Sequence, residues 1–353
     1  MKAGKSPSLV LHDPKRRTYD EQSRILAHDL SAAYAFRLRD ERSGLLQQFV
    51  TDPVTASGTP RLSFVEPYQE GKIPVVLVHG LLSNPFTWMQ TLTDLESHPW
   101  YVENFQTLVY RYPSGQSFLA SATALREQLH CAFESVDPSS TDAALNEGIL
   151  VGHSLGGLLS KLLVTNSGDS LWNAVANKPI DAILMPQKSK NEIRRAFFFT
   201  PSKRISRVIF IGTPHKGSVI ANRLVGRIGS ALVELPEPRK QAHRQLIDCN
   251  PGTFSVEIQR RIPTSIDLLE PESCLLQAIS QLAVNPRVDL HSIIGDSTWR
   301  PLVGRSDGVV PVDSARGVAA QSERFVDEPH TTLHQHPDSR DELLRILRLH
   351  LAH

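Results

Sequence analysis

Residues 148–157 constrain this chain more than any other stretch. An apolar run, Gly148 to Val151, leads directly into Gly152-His153-Ser154-Leu155-Gly156, and a helix pattern follows from Leu155 to Val164. Such a run fits a strand buried on both faces of a sheet. G-x-S-x-G between a strand and a helix requires a sharp, strained turn, with flanking glycines because Cβ atoms there would collide with neighbouring elements. The turn would lift the Ser154 hydroxyl above the carboxyl edge of the sheet, where the first N–H groups of the helix converge. The plain alternative is a glycine-rich helix start with an ordinary N-cap serine. The strand and helix flanks weigh against it.

Similar runs recur along the chain. Val75 to Val78 ends in His79-Gly80, and Gln106 to Tyr110, Arg207 to Gly212, Leu290 to Ile294 and Glu323 to Val326 read as further strands. Leu119 to Phe133 and Asp341 to Leu351 read as helices with one apolar face. Strands alternating with helices predict βαβ units and a mainly parallel central sheet flanked by helices, an α/β fold. Two sections lack the strand signal: Thr165 to Arg207, read as a mostly helical, cap-like insertion, and about 218–288, with helices expected at Val219 to Leu235 and Leu275 to Ala283. Before the first clear strand, Tyr19 to Asp40 has helical spacing, and Leu45 to Val50 and Leu62 to Val65 read as early strands. The division expected is an N-terminal helix and early strands in 1–72, packed on a catalytic domain in 73–353 with insertions about 165–207 and 218–288.

Composition excludes several classes. Of 353 residues, 40% are apolar and 21% charged, which suits a globular chain with a large core and not a disordered one. A formal charge of +1, with Lys15-Arg16-Arg17 as the one short basic cluster, read as a solvated tail, argues against nucleic-acid binding. No run reaches the roughly 18 apolar residues that span a bilayer, so no integral membrane segment is expected. Met1 to Arg17 has no apolar signal core, and the chain as given reads as cytoplasmic, or exported if a leader has been trimmed. Cys131, Cys249 and Cys274 have no zinc or disulfide spacing and are expected to pack as small apolar groups.

A hydroxyl nucleophile at neutral pH needs a base, and the base needs an orienting acid, in the order serine, acid, histidine. Asp307, in the turn-rich Ser306-Asp307-Gly308-Val309-Val310-Pro311, is the acid expected; Asp313, at what reads as a helix start, and Asp296 are alternatives. Three histidines crowd the segment before the last helix: His330, which leaves the final strand earliest, is the base, His334 the alternate and His336 a lesser choice. His334, His336 and Asp338 lack further ligands by spacing, so no metal is expected. His215 precedes every candidate acid and is assigned to the pocket wall. His79-Gly80-Leu81-Leu82 follows a buried strand; the backbone N–H groups of Leu81 and Leu155 are proposed as the pair of donors to an oxyanion, with the His79 side chain structural.

These pieces resemble bacterial esterases and lipases of the α/β-hydrolase fold. The resemblance rests on the HGLL segment at 79–82, GHSLGG at 152–157, TPHKGS at 213–218, SDGVVP at 306–311 and the histidine-rich segment, and it spans roughly 73–351. It implies a Ser154, Asp307, His330 triad (or His334), a cap after the Ser154 helix, and hydrolysis of small-molecule or lipid esters through an acyl-enzyme without a cofactor. Thioesterase, amidase or acyltransferase chemistry with the same triad is the alternative, as is a catalytically silent binding protein that keeps the elbow. Oligomeric state is not legible.

Overall fold

The computed structural model describes residues 59–115, 117–218, 237–300 and 304–352. Nine strands occur among them: β1 (Arg61–Phe64), β2 (Ile73–Val78), β3 (Phe105–Arg111), β4 (Gly148–His153), β5 (Ile205–Ile211), β6 (Asp289–Gly295), β7 (Thr298–Arg300), β8 (Gly304–Ser306) and β9 (Ser322–Val326). Seven form one sheet in the order β1-β3-β2-β4-β5-β6-β9. All its pairs are parallel except β1 with β3. β2 and β4 are buried along almost their whole length, whereas the edge strand β9 leaves Arg324 and Phe325 exposed. Charge on an edge strand opposes pairing with another chain.

The helices are α1 (Met89–Glu96), α2 (Pro99–Asn104), α3 (Phe118–Val136), α4 (Leu155–Leu163), α5 (Ser170–Val175), α6 (Gln187–Phe197), α7 (Glu237–Cys249), α8 (Val256–Arg260), α9 (Cys274–Gln281), α10 (Val312–Ala315) and α11 (Pro337–Leu351). Alternation along the strands divides the core into two layers. Val76, Val78, Leu150, Val208 and Phe210 face Leu125, Leu129 and Phe133 of α3 and Leu158 and Leu162 of α4. Val75, Leu77, Ile149, Val151, Ile209 and Ile293 face Leu92 and Leu95 of α1, Tyr101 of α2 and Leu343, Ile346 and Leu347 of α11. Because both faces are covered, the central strands have no polar side to alternate with, which is why they read as unbroken apolar runs.

The described parts of the two long excursions lie on the α3–α4 side. The first carries α5 and α6, the second α7, α8 and α9, and they meet through bridges Thr165 to Val284 and Ala176 to Phe254. The Asn250 side chain joins them further, accepting from Leu184 N–H at 2.8 Å and donating to Leu184 O at 2.9 Å.

Some expectations change. α1 and α2 fill a stretch for which no element was predicted, and the segment before Asp307 is a β7–β8 hairpin. The cysteines do not pack as a set of small apolar groups: Cys131 and Cys249 are exposed, and Cys274 is half-buried. Cys131 lies among the solvent-facing positions of α3, while the Cys274 thiol contacts Glu257 Oε2 at 3.1 Å and is pushed up to about 11, chiefly by burial and then by that carboxylate. The expected helices at Tyr19 to Asp40 and Val219 to Leu235, the strand at Leu45 to Val50 and the cluster at Lys15 lie outside the described residues. Among the described residues, no helix is long and apolar enough to cross a membrane.

Candidate active site

β4 ends at His153, α4 begins at Leu155, and Ser154 between them has φ 54° and ψ −123°. A left-handed backbone at a residue with a side chain costs of order 1–3 kcal/mol and persists only where its surroundings enforce it. Here the Ser154 N–H donates to Ile211 O of β5 at 2.8 Å. The following helix is pressed against two strand ends: a Cβ on Gly156 would lie 2.2 Å from Val78 O, and one on Gly157 would lie 1.9 Å from Thr213 Oγ1. No side chain fits at either position.

Three of the predicted residues meet at this turn. His330 Nε2 is 2.9 Å from Ser154 Oγ, and His330 Nδ1 is 2.6 Å from Asp307 Oδ2. Asp307 is 2% exposed, and its other oxygen accepts from the N–H groups of Val309 at 2.9 Å and Val310 at 2.6 Å. The carboxylate is thus aimed by its own turn. Since an ionised carboxylate can only accept, His330 Nδ1 is the donor to Asp307, and Nε2 is the nitrogen that faces the hydroxyl. Glycines at the ends of β5 and β6 make room for the pair: a Cβ on Gly212 would come within 3.2 Å of His330 Nδ1, and one on Gly295 within 2.5 Å of Asp307 Cβ.

The loop after β2 forms the facing wall. Gly80 is so close that a Cβ there would lie 3.0 Å from Ser154 Cβ. His79 is buried, stacks on Tyr112 at 4.3 Å and accepts at its carbonyl from the Tyr112 hydroxyl at 2.7 Å. Burial pushes its imidazole down to about 4. Leu82 takes φ 56°, and its N–H donates to Ser114 Oγ at 3.1 Å. Leu81, half-buried, lies between these anchors, and Leu155 opens α4, where first-turn N–H groups have no partner within the helix.

The other candidates stand elsewhere. His334 turns away from Ser154 and places Nε2 2.6 Å from Thr87 Oγ1, and burial lowers it to about 4. His336 caps α11, its Nδ1 accepting from Asp338 N–H at 3.2 Å. Asp296 pairs with Arg305, and Asp313 sits in the first turn of α10. His215 is fully buried edge-on to Phe210 and held well below the ordinary imidazole range by burial, then by Lys161 and Lys216. Among the described residues no group of three or more histidine, cysteine or acidic side chains is placed to hold a metal ion.

His153, the first of the two variable positions in the serine motif, was not among the expected site residues. Its Nε2 is 2.9 Å from His330 O, and its ring lies between those of His330 and His334. Nothing in the spacing signals this contact, which joins residues 177 positions apart. Also at this end of the sheet, Ser117, Leu119 and Ala120 at the start of α3 join α5 to α8 in lining an apolar cleft of about 640 Å³.

No protein-family model and no curated protein matches the chain. Solved structures do resemble it. Lipase BlEst2 of Bacillus licheniformis, in its mature form, is 16% identical over 83% of this chain and 99% of that one, with a TM-score of 0.49. The esterase EaEST of Exiguobacterium antarcticum is 14% identical over 83% and 96%, TM-score 0.43. A structure from a study of Nitrososphaera gargenis carboxylesterases is 12% identical over 83% and 95%, TM-score 0.41. The mainly parallel sheet with one antiparallel strand at its β1 edge, flanked by helices, and the positive-φ serine between β4 and α4 are those of the α/β-hydrolase fold, which this chain has.

Proposed function

We propose that this chain is a serine hydrolase that cleaves carboxylic esters. The observation that carries the reading is the unbroken line from Asp307 through His330 to Ser154 Oγ, at 2.6 and 2.9 Å, on a strained turn at the carboxyl edge of the sheet. His330 Nε2 takes the Ser154 proton as Oγ attacks the ester carbonyl, and the N–H groups of Leu81 and Leu155 hold the oxyanion. Collapse of the tetrahedral intermediate returns that proton from His330 to the departing alcohol and leaves an acyl-serine. Water, deprotonated by His330, then attacks the acyl carbonyl, releases the acid and restores the hydroxyl. Asp307 keeps the proton of the resting imidazole on Nδ1 throughout.

The apolar cleft supports an apolar acyl group. Its lining is drawn from the start of α3 and from the two excursions that follow α4 and β5. The excursions at 165–207 and 218–288 would then act as the cap. Short nitrophenyl esters should be turned over, and Ser154→Ala should lower kcat/KM by about 10⁴-fold or more. Fluorophosphonate labelling of Ser154 would separate a working hydrolase from a silent binding protein. Turnover that survives in Ser154→Ala would overturn the proposal, and faster thioester or amide turnover would move the substrate class.

A further inference from the structure

Three imidazoles stand side by side behind the serine. The His153 ring centroid is 4.3 Å from that of His334 and 4.9 Å from that of His330. His153 Nε2 lies 2.9 Å from His330 O, and a carbonyl oxygen can only accept, so the His153 proton is on Nε2. The main chain of His330 is therefore held at two points: its N–H donates to Asp307 O at 2.9 Å, and its C=O accepts from His153. His334 Nε2 in turn lies 3.2 Å from Thr87 O, and His334 O accepts from Thr91 Oγ1 at 3.0 Å. Thr87 and Thr91 follow closely on the loop at residues 79–82 that faces Ser154. His334 thus ties the segment after that loop to the segment that bears the base.

We infer that His153 is a positioning residue for the hydrolysis proposed above: its Nε2–H, donated to His330 O, fixes the backbone of the base and with it the aim of His330 Nε2 at Ser154 Oγ. The inference rests on that functional reading. His153 has little room to serve otherwise. It is 5% exposed, and a Cβ on Gly80 would lie 3.2 Å from its Nδ1, so the ring is wedged between the loop and the base. Burial, then the neighbouring His334 and His330, hold it well below the ordinary imidazole range, and it stays uncharged beside a base that becomes cationic as Oγ attacks. Because small displacements of a catalytic group have large kinetic effects, the loss should fall on kcat and spare KM.

Three substitutions separate the donor from the bulk of the ring. Gln places an amide N–H near the Nε2 position, Asn stops short of it, and Leu has no donor. With a nitrophenyl butyrate substrate, and thermal melting to verify folding, His153→Leu and His153→Asn should lower kcat about 30- to 100-fold with KM within about twofold, and His153→Gln should recover to within about threefold of wild type. If the Leu variant does not fold, the Asn and Gln pair carries the comparison. Equal losses in Gln and Asn, an undiminished kcat in Asn or Leu, or a loss residing in KM would overturn the inference. A wild type no faster than Ser154→Ala overturns the ester reading and this inference together, whereas an active wild type with unimpaired donor-free variants overturns this inference alone.

Discussion

Two buried, histidine-rich clusters sit at opposite ends of the same sheet, and they are built differently. Toward the amino edge, Arg207 of β5 is 2% exposed, yet its guanidinium donates to Asp289 Oδ2 at 2.8 Å, to His350 Nδ1 at 3.1 Å and to His291 Nε2. Both imidazoles accept from an arginine and are therefore neutral; His291 passes on a bond at 2.7 Å to Ser322 Oγ. At the carboxyl edge the account does not close. His79 Nε2, His153 Nδ1, His334 Nδ1, Thr213 Oγ1 and both His215 nitrogens have no partner among the described residues, and Leu82 and Ser154 both have positive φ. A satisfied network rigidifies a fold, while strain and unpaired buried polar atoms persist where they are tolerated for another purpose. The Arg207 cluster is closed by its own hydrogen bonds, although Ser206 Oγ beside it has no partner among the described residues, while the histidines around Ser154 leave several buried polar atoms unpaired.

The sharpest way to break that division is to disturb each edge and read activity and stability separately. At the carboxyl edge, Asp307→Asn keeps the oxygen that Val309 and Val310 bond but presents an amide to His330. It should lower kcat/KM for a nitrophenyl ester about 10³- to 10⁴-fold and leave the melting temperature near that of wild type. A collapse of stability instead would make the acid a structural residue.

At the amino edge the signs should reverse. Arg207→Met strips Asp289 and two imidazoles of their shared donor; Asp289 is about a third exposed and keeps its bond from Gln321, so the cost should be about 1–2 kcal/mol. Denaturant unfolding should register that loss while kcat stays close to wild type. If kcat falls in step with stability, the two edges are coupled and the division fails.

A smaller effect should appear with pH. Burial holds His79, His291 and His334 at about 4, against about 6.5 for an exposed imidazole. These folded values are depressed below the unfolded one, so the unfolded chain binds protons first as pH falls. Stability is fully present above about 6.5 and is lost progressively toward 4, with a slope on the order of 1 kcal/mol per pH unit for each such histidine. Calorimetric melts across that window test it. After burial, Arg207 is the next cause holding His291 down, so Arg207→Met should flatten the slope; an unchanged slope would assign the acid sensitivity to the carboxyl-edge histidines alone.

The framework was legible wherever a local rule sufficed. Val75 to Val78, Gly148 to Val151 and Arg207 to Gly212 read as two-faced strands because helices cover both sides of them. α1 and α2 were not read: α2 is only six residues, Pro99–Asn104, opened by a proline and packed through Tyr101 on Phe105, too short for periodicity to show. The apolar reading of Cys131 failed because a helix can present a cysteine to water without disturbing its packed face. The Arg207 cluster draws on residues 207, 289, 291, 322 and 350, a set with no sequence spacing to find it by.

By itself, the sequence determined the parallel sheet and the serine turn, because both follow from short-range causes: apolar periodicity sets which faces are buried, and absent Cβ atoms at Gly156 and Gly157 let a helix close on two strand ends. Which histidine meets Ser154 was decided only by the tertiary structure. His330, His334 and His336 lie within seven residues of one another, and a local rule ranks His330 first without removing the other two. What separates them is where the chain turns after β9. His330 is held over Asp307 by a backbone bond, His334 is drawn inward to Thr87, and His336 is used to cap α11. Those partners come from distant parts of the chain, so the choice exists only once the layers have packed.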